Sequence, residues 1–146
     1  MVNPAAGGGR TLRAWPRLRA ALAARGVAFE SAETTGPGSA VALARRAVER
    51  GWPLVVAVGG DGTLNEVVNG LVDAGGNFSG VLGAIPTGRG CDACRNLALP
   101  TDPLAALGRV LDGGETRVDV GAVEWPDGRP RYFLNAAGGG VDAVVA

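Results

Sequence analysis

Residues 54–71, LVVAVGGDGTLNEVVNGL, decide how the chain folds. Leu54 to Val58 is an unbroken apolar run between Pro53 and Gly59, the pattern of a central parallel strand covered on both faces. Thr63 to Val72 reads as a helix. Between the two stand Gly59, Gly60 and Gly62, at the carboxyl end of a strand and just before a helix, where open α/β sheets bind their ligands. Glycines let backbone N–H groups approach a phosphate closely, and a helix N-terminus adds favourable potential for an anion. The segment therefore reads as a phosphate cradle. Asp61 lies inside it, where phosphate repels a carboxylate unless the acid holds Mg²⁺ through water or meets an attacking hydroxyl. A tight strand-to-helix turn capped by Asp61 is the structural alternative. Thr63 and Glu66 also fit a capping box, each side chain satisfying a backbone N–H at the start of the helix.

Outward from this segment, strands alternate with helices. Arg10 to Arg25 is helical by the spacing of Leu12, Trp15, Leu18 and Leu22, with Gly26 as its stop and Pro16 expected to kink or restart it. A strand is expected around Val27 to Glu33. Ser39 reads as the N-cap of a helix over Ala40–Arg50, ended by Gly51, with an Arg45–Glu49 pair on its solvated face. Val81 to Ile85 reads as a strand, Gly90 to Leu97 as a short helix, and Asp102 to Leu111 as another, with Pro103 in its first turn. The order implies a three-layer α/β/α domain on a mostly parallel sheet with right-handed crossovers. Arg117 to Trp125 and Arg131 to Ala136, joined by Pro126-Asp127-Gly128-Arg129-Pro130, read as a C-terminal antiparallel hairpin. The expected division is residues 1–116 for the α/β domain and residues 117–146 for the hairpin and a connection onward.

Composition removes several chemistries. The 146 residues are 47% hydrophobic and 19% charged, with a mean hydropathy of +0.17, as in a compact domain able to fold without disulfides or a structural metal. The chain has no histidine, so it has no imidazole base or ligand, and every basic residue is arginine, so there is no GxxxxGK[ST] loop. Fourteen basic and fourteen acidic residues cancel, which gives no electrostatic case for nucleic acid. No apolar stretch approaches the ~20 residues of a membrane span and no leader pattern opens the chain, so a cytoplasmic location is expected. Cys91 and Cys94 form one C-x-x-C, too few ligands for structural zinc and without a thioredoxin context; two small apolar residues on a helix face is the simpler reading.

Four ordered motifs resemble the catalytic-domain family of diacylglycerol kinases, which includes sphingosine kinases and bacterial lipid kinases. Asn3-Pro4 followed by Gly7 resembles the family's opening motif. Gly59-Gly60-Asp61-Gly62-Thr63 with Asn65-Glu66 and Asn69-Gly70-Leu71 resembles the central one. Pro86 to Pro100, PTGRGCDACRNLALP, stands where the family shows Gly-Thr-Gly-Asn-Asp, with Arg89 in place of the threonine and Cys91 in place of the asparagine. Asp119-Val120-Gly121 and Phe133-Leu134-Asn135 through Gly140-Val141-Asp142-Ala143 resemble the segments leading into a second, β-rich domain.

The resemblance implies transfer of the ATP γ-phosphate to a lipid hydroxyl, diacylglycerol-like or sphingoid, with Mg²⁺. Asn3, Gly7, Thr34, Gly59, Gly60, Asp61, Gly62, Thr63, Asn65, Gly88, Arg89 and Gly90 would line the nucleotide, and Asp61 would be the phosphate-proximal catalytic acid. Asp119 would lie near the acceptor headgroup. In the family the lipid pocket, the metal-binding acids and the usual base belong largely to the second domain. The chain is therefore expected to be a nucleotide-binding domain with little activity alone, its metal ligands unassigned and its membrane contact transient and peripheral. An ATP-sensing domain without phosphotransfer, a NAD kinase, and a dinucleotide fingerprint at Gly88-Arg89-Gly90-Cys91-Asp92-Ala93 are the alternatives; titration with ATP·Mg and with NAD separates the nicotinamide readings from the rest.

Overall fold

The computed structural model describes residues 1–73, 75–126 and 128–136. Its elements in chain order are α1 (Ala6–Ala24), α2 (Ser39–Glu49), β1 (Leu54–Gly59), α3 (Asp61–Leu71), β2 (Val81–Pro86), α4 (Asp92–Asn96), α5 (Pro103–Asp112), β3 (Gly121–Glu124) and β4 (Pro130–Phe133). β1 and β2 pair in parallel, from Leu54 opposite Val81 to Gly59 opposite Pro86. The start of the chain extends this sheet. Val2 bridges in parallel to Val58 on one side and to Glu33 on the other, through Asn3 N–H to Val58 O at 2.9 Å and Thr34 N–H to Val2 O at 2.9 Å.

Side chains alternate across β1 and divide the core. Val55 and Ala57 pack with Ala40 and Ala44 of α2 and Leu64, Val67 and Leu71 of α3. Val58 packs on the other face with Val2, Ile85, Leu18 and Leu22 of α1, and Ala106 and Leu107 of α5. The three-layer α/β/α architecture follows directly, helices covering both faces as a parallel sheet requires. Gly70 lets α2 and α3 touch: a Cβ there would collide with the Val41 carbonyl and the Ala44 side chain.

Several local expectations are corrected. The segment Val27 to Glu33 is not a regular strand: it meets the sheet only at its end, where Glu33 bridges to Val2 and Val2 N–H donates to Ala32 O at 2.8 Å. An open groove of about 660 Å³ runs beside it, with Met1, Trp15, Phe29, Val56 and Leu107 among its walls. At its end the Met1 ammonium donates to Val56 O at 2.6 Å, and burial pushes its pKa down from 8.0 to about 6. α1 runs through Pro16 without a break; its non-helical backbone is confined to Gly7, Gly8 and Gly9. The hydrogen bond that Pro16 cannot make would end at Leu12, which is 59% exposed and so lies on the solvent side of the helix. Ser39 is the first helical residue of α2 and not its N-cap; its hydroxyl instead ties the preceding turn, accepting from Thr35 and Gly36 N–H and donating to Gly36 O. The ion pairs formed among the described residues are Arg25–Asp112, Arg50–Glu30 and Arg95–Asp92, not Arg45–Glu49.

The C-terminal hairpin is present but shorter than expected. Gly121–Glu124 pairs antiparallel with Pro130–Phe133, and the turn closes through Gly128 N–H to Trp125 O at 2.8 Å. Residues 117–120 are irregular. Asp127 lies outside the described residues, as does the part beyond Ala136 of the motif expected from Phe133 through Ala143.

Candidate functional site

The loops that leave the carboxyl ends of the parallel strands converge on one edge of the sheet. Asn3 ends the segment beside β1, and its side chain holds two places: Nδ2 donates to Thr63 Oγ1 at 2.8 Å, and Oδ1 accepts from Ala5 N–H at 3.1 Å. Thr63 is thereby committed to Asn3 and does not close a capping box. Glu66 is committed elsewhere as well. Its Oε1 accepts from Gly38 N–H at 2.9 Å and its Oε2 from Ala40 N–H at 3.1 Å, so it caps α2 instead of its own helix. The N-cap of α3 is Gly60, which has no capping side chain. Its free N-terminal N–H groups face the edge where Gly59, Gly60 and Gly62 turn.

The β1–α3 and β2–α4 loops touch through glycine. A Cβ on Gly88 would fall 2.6 Å from Gly60 Cα, and Thr87 and Gly88 N–H both bond to Gly59 O, at 2.8 and 3.2 Å. Asp61 pins the second loop. Its Oδ1 accepts from Ala93 N–H at 3.0 Å and its Oδ2 from Asp92 N–H at 3.3 Å, at the start of α4. A Cβ on Gly90 would meet Asp61 Oδ2 at 3.1 Å and Asp92 Oδ2 at 3.4 Å, so two carboxylates flank that glycine. Mg²⁺ is commonly held by one or two carboxylates plus substrate phosphates and waters; here both Asp61 oxygens already accept backbone N–H groups and Asp92 Oδ1 pairs with Arg95 at 2.9 Å, so Asp92 Oδ2 is the oxygen with no protein partner. Among the described residues no group of three or more Cys, Asp or Glu is arranged to hold a metal unaided.

Gly7, Gly8 and Gly9 are all left-handed, with φ of 62°, 66° and 82°. They carry the chain from Asn3 into α1 beside Thr87, and the buried Thr11 and Thr87 hydroxyls bond to each other beneath. Arginines ring this loop. A Cβ at Gly8 would lie 3.7 Å from Arg89 Nη2, and one at Gly9 3.6 Å from Arg13 Nη1; Arg10 Nη1 reaches Gly88 O at 3.5 Å. Arg10, which the sequence reading did not single out, thus reaches the same loop as Arg89, whereas Arg13 neighbours only Gly9 on its own helix. Thr34 is half-buried at the far strand end, bonded through its N–H to Val2 O. Asn65 Oδ1 is buried without a partner. Asp119 is exposed in the irregular segment two residues before β3.

Cys91 and Cys94 are free and buried, and burial pushes both thiols up, Cys94 to about 11, with the Asp61 charge adding to the rise. Thiols raised in this way stay protonated near neutral pH and are then poor nucleophiles and poor ligands, which leaves them as packing residues. Asn69 has a role with no local sequence signal. Its Oδ1 accepts from Tyr132 N–H at 2.9 Å and its Nδ2 donates to Tyr132 O at 2.8 Å, clasping β4 onto α3.

The chain matches the diacylglycerol kinase catalytic domain over residues 1–123. It is 38% identical over 140 residues to a diacylglycerol kinase of Staphylococcus saprophyticus, covering 96% of this chain and 44% of that protein. It is 36% identical to one of Staphylococcus aureus, covering 42% of it. The crystal structure of a diacylglycerol kinase from Bacillus anthracis superposes with a TM-score of 0.70 at 29% identity, over 82% of this chain and 43% of that one. The chain thus spans less than half the length of these relatives. Its own motifs, its fold and these matches agree: it belongs to the diacylglycerol kinase catalytic-domain family.

Proposed function

We propose that this chain is the nucleotide-binding part of an ATP-dependent lipid kinase, which passes the γ-phosphate of ATP to a lipid hydroxyl. One observation carries the reading: three glycine loops meet at the carboxyl edge of a parallel sheet, where Arg10 Nη1 reaches Gly88 O and the Arg89 guanidinium lies beside Gly8. Backbone N–H groups and guanidinium forks together suit a polyphosphate, and the absence of lysine leaves that work to arginine. Catalysis of phosphoryl transfer is mostly positioning and charge stabilisation, which is what such an edge supplies. Asp61 and Asp92 would hold Mg²⁺, which when bound neutralises charge on the phosphates. Asp61 also fixes the β2–α4 loop through two backbone N–H groups, so it acts on the phosphate site by charge and by shape.

The acceptor side draws on more than this chain. Asp119 and the exposed Val118, Val123 and Trp125 around the hairpin would belong to the face that meets the lipid or the following domain, with residues 1–116 as the nucleotide domain. No described helix is long and apolar enough to cross a membrane, so contact with lipid would be peripheral and the location cytoplasmic.

Isothermal titration tests the nucleotide reading. A charge-assisted hydrogen bond contributes about 1.5–3 kcal/mol, so Arg89→Ala should weaken ATP·Mg binding roughly 10- to 150-fold while adenosine is indifferent. An ATP affinity within about twofold of wild type would remove Arg89 from the site.

A further inference from the structure

The charges at this sheet edge are met unequally. Asp61 spends both carboxylate oxygens on the Ala93 and Asp92 N–H groups, and Asp92 Oδ1 pairs with Arg95. The carboxylates are thus largely answered from within the chain, and only Asp92 Oδ2 is left to a cation. The guanidiniums between the loops are not answered in this way. The ion pairs among the described residues are Arg25–Asp112, Arg50–Glu30 and Arg95–Asp92, which include neither Arg10 nor Arg89. These two cross the gap between the Gly7–Gly9 and Gly88–Gly90 turns in opposite directions. Arg10 Nη1 reaches from the first turn to Gly88 O at 3.5 Å, and the exposed Arg89 points back toward Gly8, where a Cβ would lie 3.7 Å from its Nη2. Arg89 also stands where the family pattern has threonine, so a permanent charge takes the place of a neutral hydroxyl.

We infer that Arg89 decides which ionic form of the nucleotide this chain accepts: it supplies in binding the counter-charge that a divalent cation otherwise brings, so that metal-free ATP is held about as well as ATP·Mg. The inference rests on the nucleotide reading above and adds to it the charge state of the ligand. Free ATP is the more highly charged anion and is drawn more strongly by a guanidinium with no carboxylate partner, which offsets the counter-charge lost with the metal. A threonine at position 89 would leave the metal as the chief counter-charge. Binding alone is concerned here; neutralisation of charge during phosphoryl transfer is a separate demand. If Arg89 only shaped its loop, replacing it would weaken both ionic forms by the same factor.

The test titrates ATP in EDTA and ATP in excess Mg²⁺, at matched ionic strength, into wild type, Arg89→Thr and Arg89→Lys, and reads the ratio of the two affinities. In wild type free ATP should bind no more than about fivefold weaker than ATP·Mg. In Arg89→Thr the gap should open to about tenfold or more, because the free anion loses the larger interaction. Arg89→Lys keeps the charge without the fork and should stay below the fivefold limit. Arg89 is exposed, so these variants leave the packing of the domain in place. A wild-type gap above about fivefold, a gap in Arg89→Thr that stays below it, or a lysine variant that behaves as the threonine one would each overturn the inference while the nucleotide reading stood. A wild-type protein that bound ATP in neither condition would overturn both.

Discussion

Cys91 occupies a left-handed backbone position, φ 54° and ψ 37°, immediately before α4, with its thiol donating to Gly88 O at 3.4 Å. Such a conformation costs a non-glycine residue about 1–2 kcal/mol, and asparagine tolerates it best among side chains. The asparagine that the family pattern places here would also bring a stronger donor to the Gly88 carbonyl. Cys91→Asn should therefore raise the melting temperature by about 3 °C, whereas the β-branched Cys91→Val should lower it. A melt that ranks valine at or above asparagine would remove backbone strain as the cause. At this scale the sequence was legible where geometry is local: the glycines around Asp61 mark a tight strand-to-helix turn, and β1 passes into α3 there. It was illegible at Glu66. Thr-Leu-Asn-Glu is a valid capping box by pattern, but Asn3 and the α2 N-terminus, 60 and 26 residues away, outbid the local N–H groups.

Three helices end in the same way, and one of them does so with the wrong residue. α1 and α2 close through Gly26 and Gly51, left-handed at φ 64° and 73°, the next residue in each case reaching back to Leu22 O or Ala47 O. α4 closes by the same pair of bonds, Ala98 N–H to Arg95 O at 3.0 Å and Leu99 N–H to Cys94 O at 2.8 Å, but with alanine at φ 52°. Ala98→Gly should stabilise the protein by about 1 kcal/mol, seen as a shift near 3 °C in thermal melts, and Gly51→Ala should cost a similar amount. Opposite signs at the two positions are the check. Helices and their glycine stops were readable from composition because capping is a short-range matter. The strand expected over Val27 to Glu33 was not, since pairing depends on what lies alongside, and the chain offers a neighbour only at Val2. Asn69 shows the same limit: its clasp on Tyr132 spans 63 residues and leaves no trace in the local pattern.

For the whole molecule, the titration of stability is unusually simple to assign. With no histidine, a chain whose free N-terminus is Met1 titrates between pH 6 and 8 through that amine, which burial holds near 6 when folded against 8.0 when exposed. A depressed amine means the unfolded chain binds the extra proton across that window, so stability rises with pH from 6 to 8, by about 2–3 kcal/mol. The raised thiols act in the opposite sense: their contribution is complete below the ordinary thiol range and is lost as pH climbs past it. Urea titrations at pH 6, 7 and 8 should trace the rise, and Nα-acetylation, which the adjoining groove has room for, should flatten it; a flat profile in the unmodified protein would refute the assignment. The three layers were legible from alternation alone, while the position of the chain's first residues inside the sheet was not. That position has a kinetic consequence. Val2 can meet Glu33 early but cannot complete its pairing until Val58 exists, Asn3 waits for Thr63, and Thr11 waits for Thr87. At roughly 5–20 residues synthesised per second, the opening segment emerges seconds before its partners. The glycine-loop edge thus closes only once the Thr87 segment has emerged, and a ligand seated there would report that these long-range closures have already been made.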